Sequence, residues 1–329
     1  MKIATLEFNG NFLAGDRSMH LYADVFRKKY CEANLTMEEA KTYNGDVIMC
    51  FNGRPDLGGC PPREFKGKSF IHLMDHNFQT TKTLRALEEC HDPYLMVYQG
   101  VKKYDPFFRH FFNKYHDRTI DVPFGYNNLR FKNTKPFNER KNKVVALGAV
   151  NPVSDPLCIN DIRHFAEFFK DEEYTHKWRH VLRSATAELS EIMDSRLPTI
   201  PKTKDFDYDI VQEYNDYKMF TTCESIMRYP SVKTFEGMAC GSVLVCSDHH
   251  CYKDLGLRHG VNCIMHKDLN INSFNYIVGE WLSRPRDLEK IAEKGRLFAY
   301  GYYTPSAVAD NLYGDIFEIK SVDKCCNLC

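Results

Sequence analysis

Short apolar runs recur along the chain at residues 2–8, 46–52, 69–74, 94–98, 143–148, 218–223 and 242–246. Runs this short, rich in β-branched residues and bounded by Gly, Pro or Asn, predict strands buried on both faces of a parallel sheet. Between them, apolar residues fall at helical spacing. Tyr22, Val25, Phe26 and Tyr30 line one face of a helix that opens at Ser18. Residues 105–115 carry Phe107, Phe108, Phe111 and Phe112 beside Arg109, His110 and Lys114, which predicts a core face with solvated cations opposite. Beyond 271 the spacing is helical over 274–282, 285–298 and from Thr304 to about 319. Strands alternating with helices predict the α/β class, with helices covering parallel sheets.

A polar, basic stretch at 127–142 with one proline divides the pattern and reads as a linker. A chain of 329 residues suits two domains of about 150 each. The expected organisation is an N-terminal Rossmann-like domain over 1–135, a second over 136–303, a last helix over 304–320 and a flexible tail over 321–329. Each half opens on a strand followed by a turn-rich loop. The first loop holds Gly10 and Asn11; the second holds Ser154. Loops at the C-terminal ends of parallel strands line the ligand crevice of doubly wound sheets, so Gly10 and Asn11 are candidate binding residues, and a plain turn accounts for either equally well. Neither loop is G-x-G-x-x-G, so no dinucleotide fingerprint is present. The run at 69–74 ends on Asp75-His-Asn77. A carboxylate at such a strand end is a candidate general base, and a helix cap near Thr80 is the structural alternative.

The chemistry concentrates at 228–248. Pro230 and Ser231 predict a helix start with Ser231 as N-cap, residues 232–240 the helix, Gly241 its stop and 242–246 a buried strand. Amides at a helix start, with Lys233 and Arg228 close in sequence, suit an anion. Thr234 stands beside them, and Glu236, one turn on, can accept two hydroxyl hydrogen bonds. Phosphates at the helix start and a ribose on the glutamate describe a nucleotide site. A surface helix with solvated Lys and Glu is the bland reading.

Lys233-Thr-Phe-Glu236-Gly-Met-Ala-Cys-Gly241 and the apolar strand after it resemble the nucleotide-sugar signature of GT-B glycosyltransferases. The turn at Gly256 and Gly260 resembles the segment that follows it. The order of the N-terminal elements is also similar to that of phage DNA β-glucosyltransferases, which open on Met-Lys-Ile-Ala and carry a catalytic aspartate after a strand. The resemblance implies two Rossmann-like domains facing across a cleft, with the last helix crossing back to the N-terminal domain. It implies that Glu236 holds the donor ribose, that Lys233 and the loop carrying Ser154 face the diphosphate, and that Asp75 is the base; Arg228, Ser231 and Thr234 join the diphosphate side by their place at the helix start. The co-substrate would be a nucleotide-diphosphate sugar, a UDP-sugar first, with no obligatory cofactor. The retaining branch carries a second glutamate where this chain has Arg228, which leaves the stereochemistry open. The acceptor implied is a hydroxymethylated base in viral DNA; a cell-surface glycan or a small molecule is the rival.

Composition narrows this further. Basic and acidic residues number 44 each, so no global field draws the chain to nucleic acid. No apolar run approaches the length of a membrane span, and the N-terminal run reads as a strand; a cytoplasmic enzyme is expected. The 13 cysteines are scattered through apolar runs and read as reduced thiols. Asp207-Tyr-Asp209 fits a metal-binding D-x-D pattern but precedes a helix, where acids are expected anyway. His249-His-Cys251 lacks a distant ligand pair, so no metal is expected. A non-catalytic nucleotide-sugar-binding protein and a sugar-phosphate epimerase of similar architecture are the rival classes.

Overall fold

The structure is a computed structural model that describes residues 1–7, 18–155, 158–198 and 208–326. Contacts divide the chain into two units, Met1–Gly125 with Asn160–Phe165 and Thr304–Cys329, and Tyr126–Ile159 with Ala166–Tyr303.

In unit 1 the elements run β1 (Ile3–Leu6), α1 (Ser18–Tyr30), β2 (Ala33–Leu35), α2 (Met37–Thr42), β3 (Val47–Cys50), β4 (Lys68–His72), α3 (Thr80–Glu89), β5 (Pro93–Tyr98), α4 (Val101–Tyr104), α5 (Pro106–Phe111) and β6 (Thr119–Val122). The strands form one sheet in the order β2-β1-β3-β4-β5-β6, and every pair is parallel. All residues of β1 and β3 are buried, as their unbroken apolar runs require. The phenylalanine helix is shorter than its pattern predicts. Asp105 caps α5, which ends at Phe111, and a 3-10 turn over Asn113–Arg118 follows. Phe107, Phe108 and Phe112 are fully buried, so they serve the core.

Unit 2 contains β7 (Lys141–Leu147), α7 (Lys177–Ser184), β8 (Met193–Arg196), α8 (Ile210–Asp216), β9 (Tyr217–Thr221), α9 (Lys233–Ala239), β10 (Val243–Ser247), α10 (His250–Asp254), β11 (Ile264–His266), α11 (Ile271–Leu282) and α12 (Pro285–Tyr303); α6 (Arg163–Phe168) precedes α7 in the chain. Its sheet, also parallel throughout, has the order β11-β10-β9-β7-β8. β7 is the first strand and lies between β8 and β9, so the winding reverses between β7 and β9. The crevice at the C-terminal ends of strands flanking such a reversal is where doubly wound sheets hold ligands. Trp178, Leu182, Phe274, Val278, Leu288 and Ile291 pack against the sheet in one cluster.

The last helix, α13 (Pro305–Cys326), belongs to unit 1 and packs on α1. Tyr313 stacks on Tyr30 with ring centroids 4.1 Å apart, and Lys29 and Tyr30 both donate to Asp310 at 2.7 Å. The helix continues to Cys326, past the bound of 320 expected for it.

Candidate functional site

The loop after β7 and the segment joining β9 to α9 supply the candidate site of unit 2. Gly148, directly after β7, has φ +116°, and a β-carbon there would stand 2.7 Å from Cζ of Arg179. Glycine is required twice over, by backbone and by space. The Arg179 guanidinium, on α7, lies against that backbone. Arg179 is 5% exposed; its Nη1 donates to the Ala149 carbonyl at 3.1 Å, and its Nε has no protein partner. Gly148 N–H donates to the Tyr208 hydroxyl at 3.3 Å.

Lys233 opens α9. Burial and then the charge of Arg179 push its ammonium below the ordinary lysine range, while Glu236 and Cys223 pull the other way. His176 feels both cations. Burial first, then Arg179 and Lys233, hold its imidazole well below its usual value, so it is neutral. Glu236 is raised by burial and opposed by the charges of Lys233 and Arg130. Thr234 is fully buried and its hydroxyl has no protein partner. The strand ends of unit 2 thus hold two cations in each other's field, with one carboxyl close to Lys233. Arg179 is buried and Lys233 half-buried, and two like charges sharing a partly desolvated site destabilise each other unless an anion joins them.

The helix start differs from expectation. Val232, with helical dihedrals and no side-chain bond, holds the N-cap position, so Ser231 does not cap. Its hydroxyl pairs instead with that of Thr222 at 3.2 Å, and its carbonyl accepts the Thr234 N–H at 3.1 Å. The Phe235 and Glu236 amides turn back to Val232. With these three amides engaged, an anion at this helix start would meet side chains more than free amides. Gly241 does end the helix, at φ +75°. Gly237 is set by packing, since a β-carbon would meet the Phe220 ring of β9 at 2.5 Å.

The remaining candidates scatter. Arg228 sits at φ +65° and pairs with Asp268 at 3.5 Å, beside a small cavity that Trp178 and Glu224 also line. Glu224 is 7% exposed, accepts the Ser247 hydroxyl at 3.0 and 3.1 Å, and is raised chiefly by burial. Ser154 is exposed beyond the bridge between Pro152 and Tyr174. Gly10 and Asn11 lie outside the described residues, as does Asp207. Asp209 caps α8 through the Val211 N–H at 2.9 Å. Among the described residues no three His, Cys, Asp or Glu side chains gather as metal ligands.

In unit 1, Asp75 is exposed at the end of the β4 segment with φ +48°. It does not cap α3; Gln79, also left-handed at φ +47°, holds that position. Arg54, Arg130 and Arg179 are neighbours of these groups that sequence reading did not single out. A glycine directly after a strand, as at 148, is the signal that could have pointed to Arg179.

Comparison with known proteins adds the following. Residues 202–314 match the family described as glycosyl transferase-like. No curated protein matches. Anabaena HepE in complex with UDP and glucose superposes with a TM-score of 0.58 at 13% identity, covering 96% of this chain and 99% of its own. Sucrose-phosphate synthase from Thermosynechococcus elongatus gives 0.52 at 13% identity over 97% and 99%. The fold is GT-B. An alpha-glucosyltransferase in complex with UDP-glucose and DNA containing an abasic site shares the GT-B fold at a TM-score of 0.53 and 10% identity, over 96% and 99%. The glycosyl transferase-like match runs from before α8 into the first part of α13, and so contains β9, Lys233 and Glu236.

Proposed function

We propose that the chain is a glycosyltransferase that moves a sugar from a UDP-linked donor to an acceptor hydroxyl. The observation that carries the reading is the pair of cations, Arg179 and Lys233, at the C-terminal ends of the strands flanking the winding reversal of unit 2. A diphosphate relieves their mutual repulsion, and Glu236 suits the ribose hydroxyls. HepE, sharing this fold, holds UDP and UDP-glucose, which supports uridine as the nucleoside.

In the reaction proposed, the acceptor oxygen bonds to the anomeric carbon as the bond from that carbon to the diphosphate oxygen breaks. The acceptor proton passes to the Asp75 carboxylate, and UDP departs with its new charge beside Lys233 and Arg179. Fixed cations that meet charge as it develops lower the barrier without a metal. A base at the acceptor implies inversion at the anomeric carbon. For the acceptor, a small-molecule or glycan hydroxyl comes first. The DNA complex of the alpha-glucosyltransferase keeps hydroxymethylated DNA as the second choice, since acidic and basic residues nearly cancel in unit 1.

The test is UDP release from UDP-glucose, with water or an added acceptor, in the wild type and in Lys233→Ala and Asp75→Asn. Loss of donor binding in the first and of turnover in the second supports the roles. Full activity in both removes them, and Asp75→Asn at wild-type turnover alone points to a retaining course.

A further inference from the structure

We propose that His76 and Asp105 are a positioning pair that holds Asp75 in place; the inference rests on the base role assigned to Asp75. His76 follows Asp75 directly, yet the two differ completely in surroundings. Asp75 is exposed, whereas His76 is 2% and Asp105 0% exposed. His76 Nε2 lies 2.7 Å from Asp105 Oδ2. The other carboxylate oxygen, Oδ1, accepts the N–H groups of Phe107 at 2.8 Å and Phe108 at 3.3 Å, which caps α5. Helix α5 therefore orients the carboxylate, and the carboxylate orients the imidazole. Phe107, Phe108 and Phe112 surround the ring, with centroids 6.1, 5.5 and 6.0 Å away. The imidazole has one seat.

That seat fixes a strained turn. Asp75 and Gln79 are both left-handed, at φ +48° and +47°, without being glycine. The Phe78 N–H closes the turn onto the Asp75 carbonyl at 2.8 Å, and the Thr80 hydroxyl donates to the His76 carbonyl at 3.3 Å. Non-glycine residues hold such conformations only where the surroundings over-determine them. His76 is buried too deeply to meet substrate, so it acts through its neighbour: one peptide bond from an anchored ring, the carboxylate of Asp75 is aimed instead of sampling the ordinary backbone wells. An aimed base matters because misplacement of a reacting group by a fraction of an ångström to an ångström is felt in turnover.

The experiment measures UDP release from UDP-glucose in the full chain, reading kcat and donor KM apart. His76→Phe keeps a ring but loses the bond to Asp105. It is expected to lower kcat at least tenfold with donor KM within about twofold, and His76→Gln, whose amide nitrogen can still reach Asp105, is expected to recover most of the loss. In the double variant Asp75→Asn/His76→Phe, turnover should fall no further than in Asp75→Asn, because a positioned base that is already gone cannot be misplaced. Should His76→Phe not accumulate as folded protein, His76→Asn, too short to reach Asp105, takes its place. Wild-type kcat in His76→Phe alongside an impaired Asp75→Asn overturns the pair alone, as does a double variant whose losses simply multiply. An unimpaired Asp75→Asn removes the base assignment and the pair with it.

Discussion

Glu236 and Lys233 stand three residues apart on one helix, and we propose opposite tasks for them. The lysine is made uncomfortable by burial and by Arg179, while the glutamate is made less acidic by burial and restrained by Lys233 and Arg130. A ribose that hydrogen-bonds the carboxylate would lose contacts to a charged acceptor in Glu236→Ala, at about 1.5–3 kcal/mol. The donor KM should then rise roughly 10- to 150-fold with a smaller change in kcat, measured by steady-state UDP release; an unchanged KM would take Glu236 out of the donor site. These two residues could be proposed from sequence because the Glu-Gly-Met-Ala-Cys-Gly run is local. Arg179 was not. It sits in Lys-Trp-Arg-His-Val-Leu-Arg, where a basic residue reads as solvated, and its burial follows only from α7 packing beside Gly148. Gly148→Ala should accordingly displace the guanidinium, weakening UDP binding as well as stability; UDP titration by calorimetry would show it.

The strands that read clearly from sequence were those buried on both faces, such as β9 and β10, whose residues are all inside. β8 was not legible: Met193-Asp-Ser-Arg196 has only its methionine buried, and it is a strand because it pairs with β7 at the sheet edge. The linker reading of 127–142 likewise hid a structural arginine. Arg140 is 3% exposed and donates to the carbonyls of Cys240 at 2.8 Å, Tyr214 at 3.1 Å and Lys135 at 2.9 and 3.1 Å. It thereby ties the C-terminal ends of α8 and α9 to the strand that opens unit 2, satisfying carbonyls that a helix leaves over. Burial lowers its pKa, but the guanidinium stays charged. Arg140→Ala strands these carbonyls, each costing about 1–3 kcal/mol when left unsatisfied, so a loss of about 3 kcal/mol or more in urea unfolding is expected. Glu224, just past β9, gives an element-scale pH effect. Its carboxyl is raised in the folded chain, so the folded state binds a proton more readily than the unfolded state between the ordinary glutamate pKa and the raised value. Stability falls as pH climbs through that window. Glu224→Gln keeps an acceptor for Ser247 and removes the charge. Its stability relative to wild type should improve from pH 4.5 to pH 7, and a pH-independent difference would show that the carboxyl ionises normally.

At the scale of the whole chain, the two sheets share one plan: the first strand lies inside, the second beside it, and the third on its other flank. That plan was legible because strand and helix alternate with short connections; which chain segments belong to which unit was less so, since Asn160–Phe165 lies in unit 1 although the sequence around it belongs to unit 2. Donor binding belongs to unit 2 in our reading, and its consequence is measurable without knowing the acceptor. A ligand that binds only the folded state stabilises it by RT ln(1 + [L]/Kd), about 2.7 kcal/mol at a hundredfold excess over Kd. For a unit of this size each kcal/mol moves the midpoint by about 2–4 °C, so saturating UDP should raise Tm by about 5–10 °C. Lys233→Ala should abolish most of that rise, because removing one cation leaves the diphosphate facing Arg179 alone. The side chains assigned to the diphosphate include no metal ligand set, so a chelator should leave the UDP-induced rise intact. A rise that vanished with chelator would instead make the diphosphate a metal-borne ligand and turn attention to Asp207 and Asp209, whereas a rise insensitive to both chelator and Lys233→Ala would move the nucleotide away from α9 altogether.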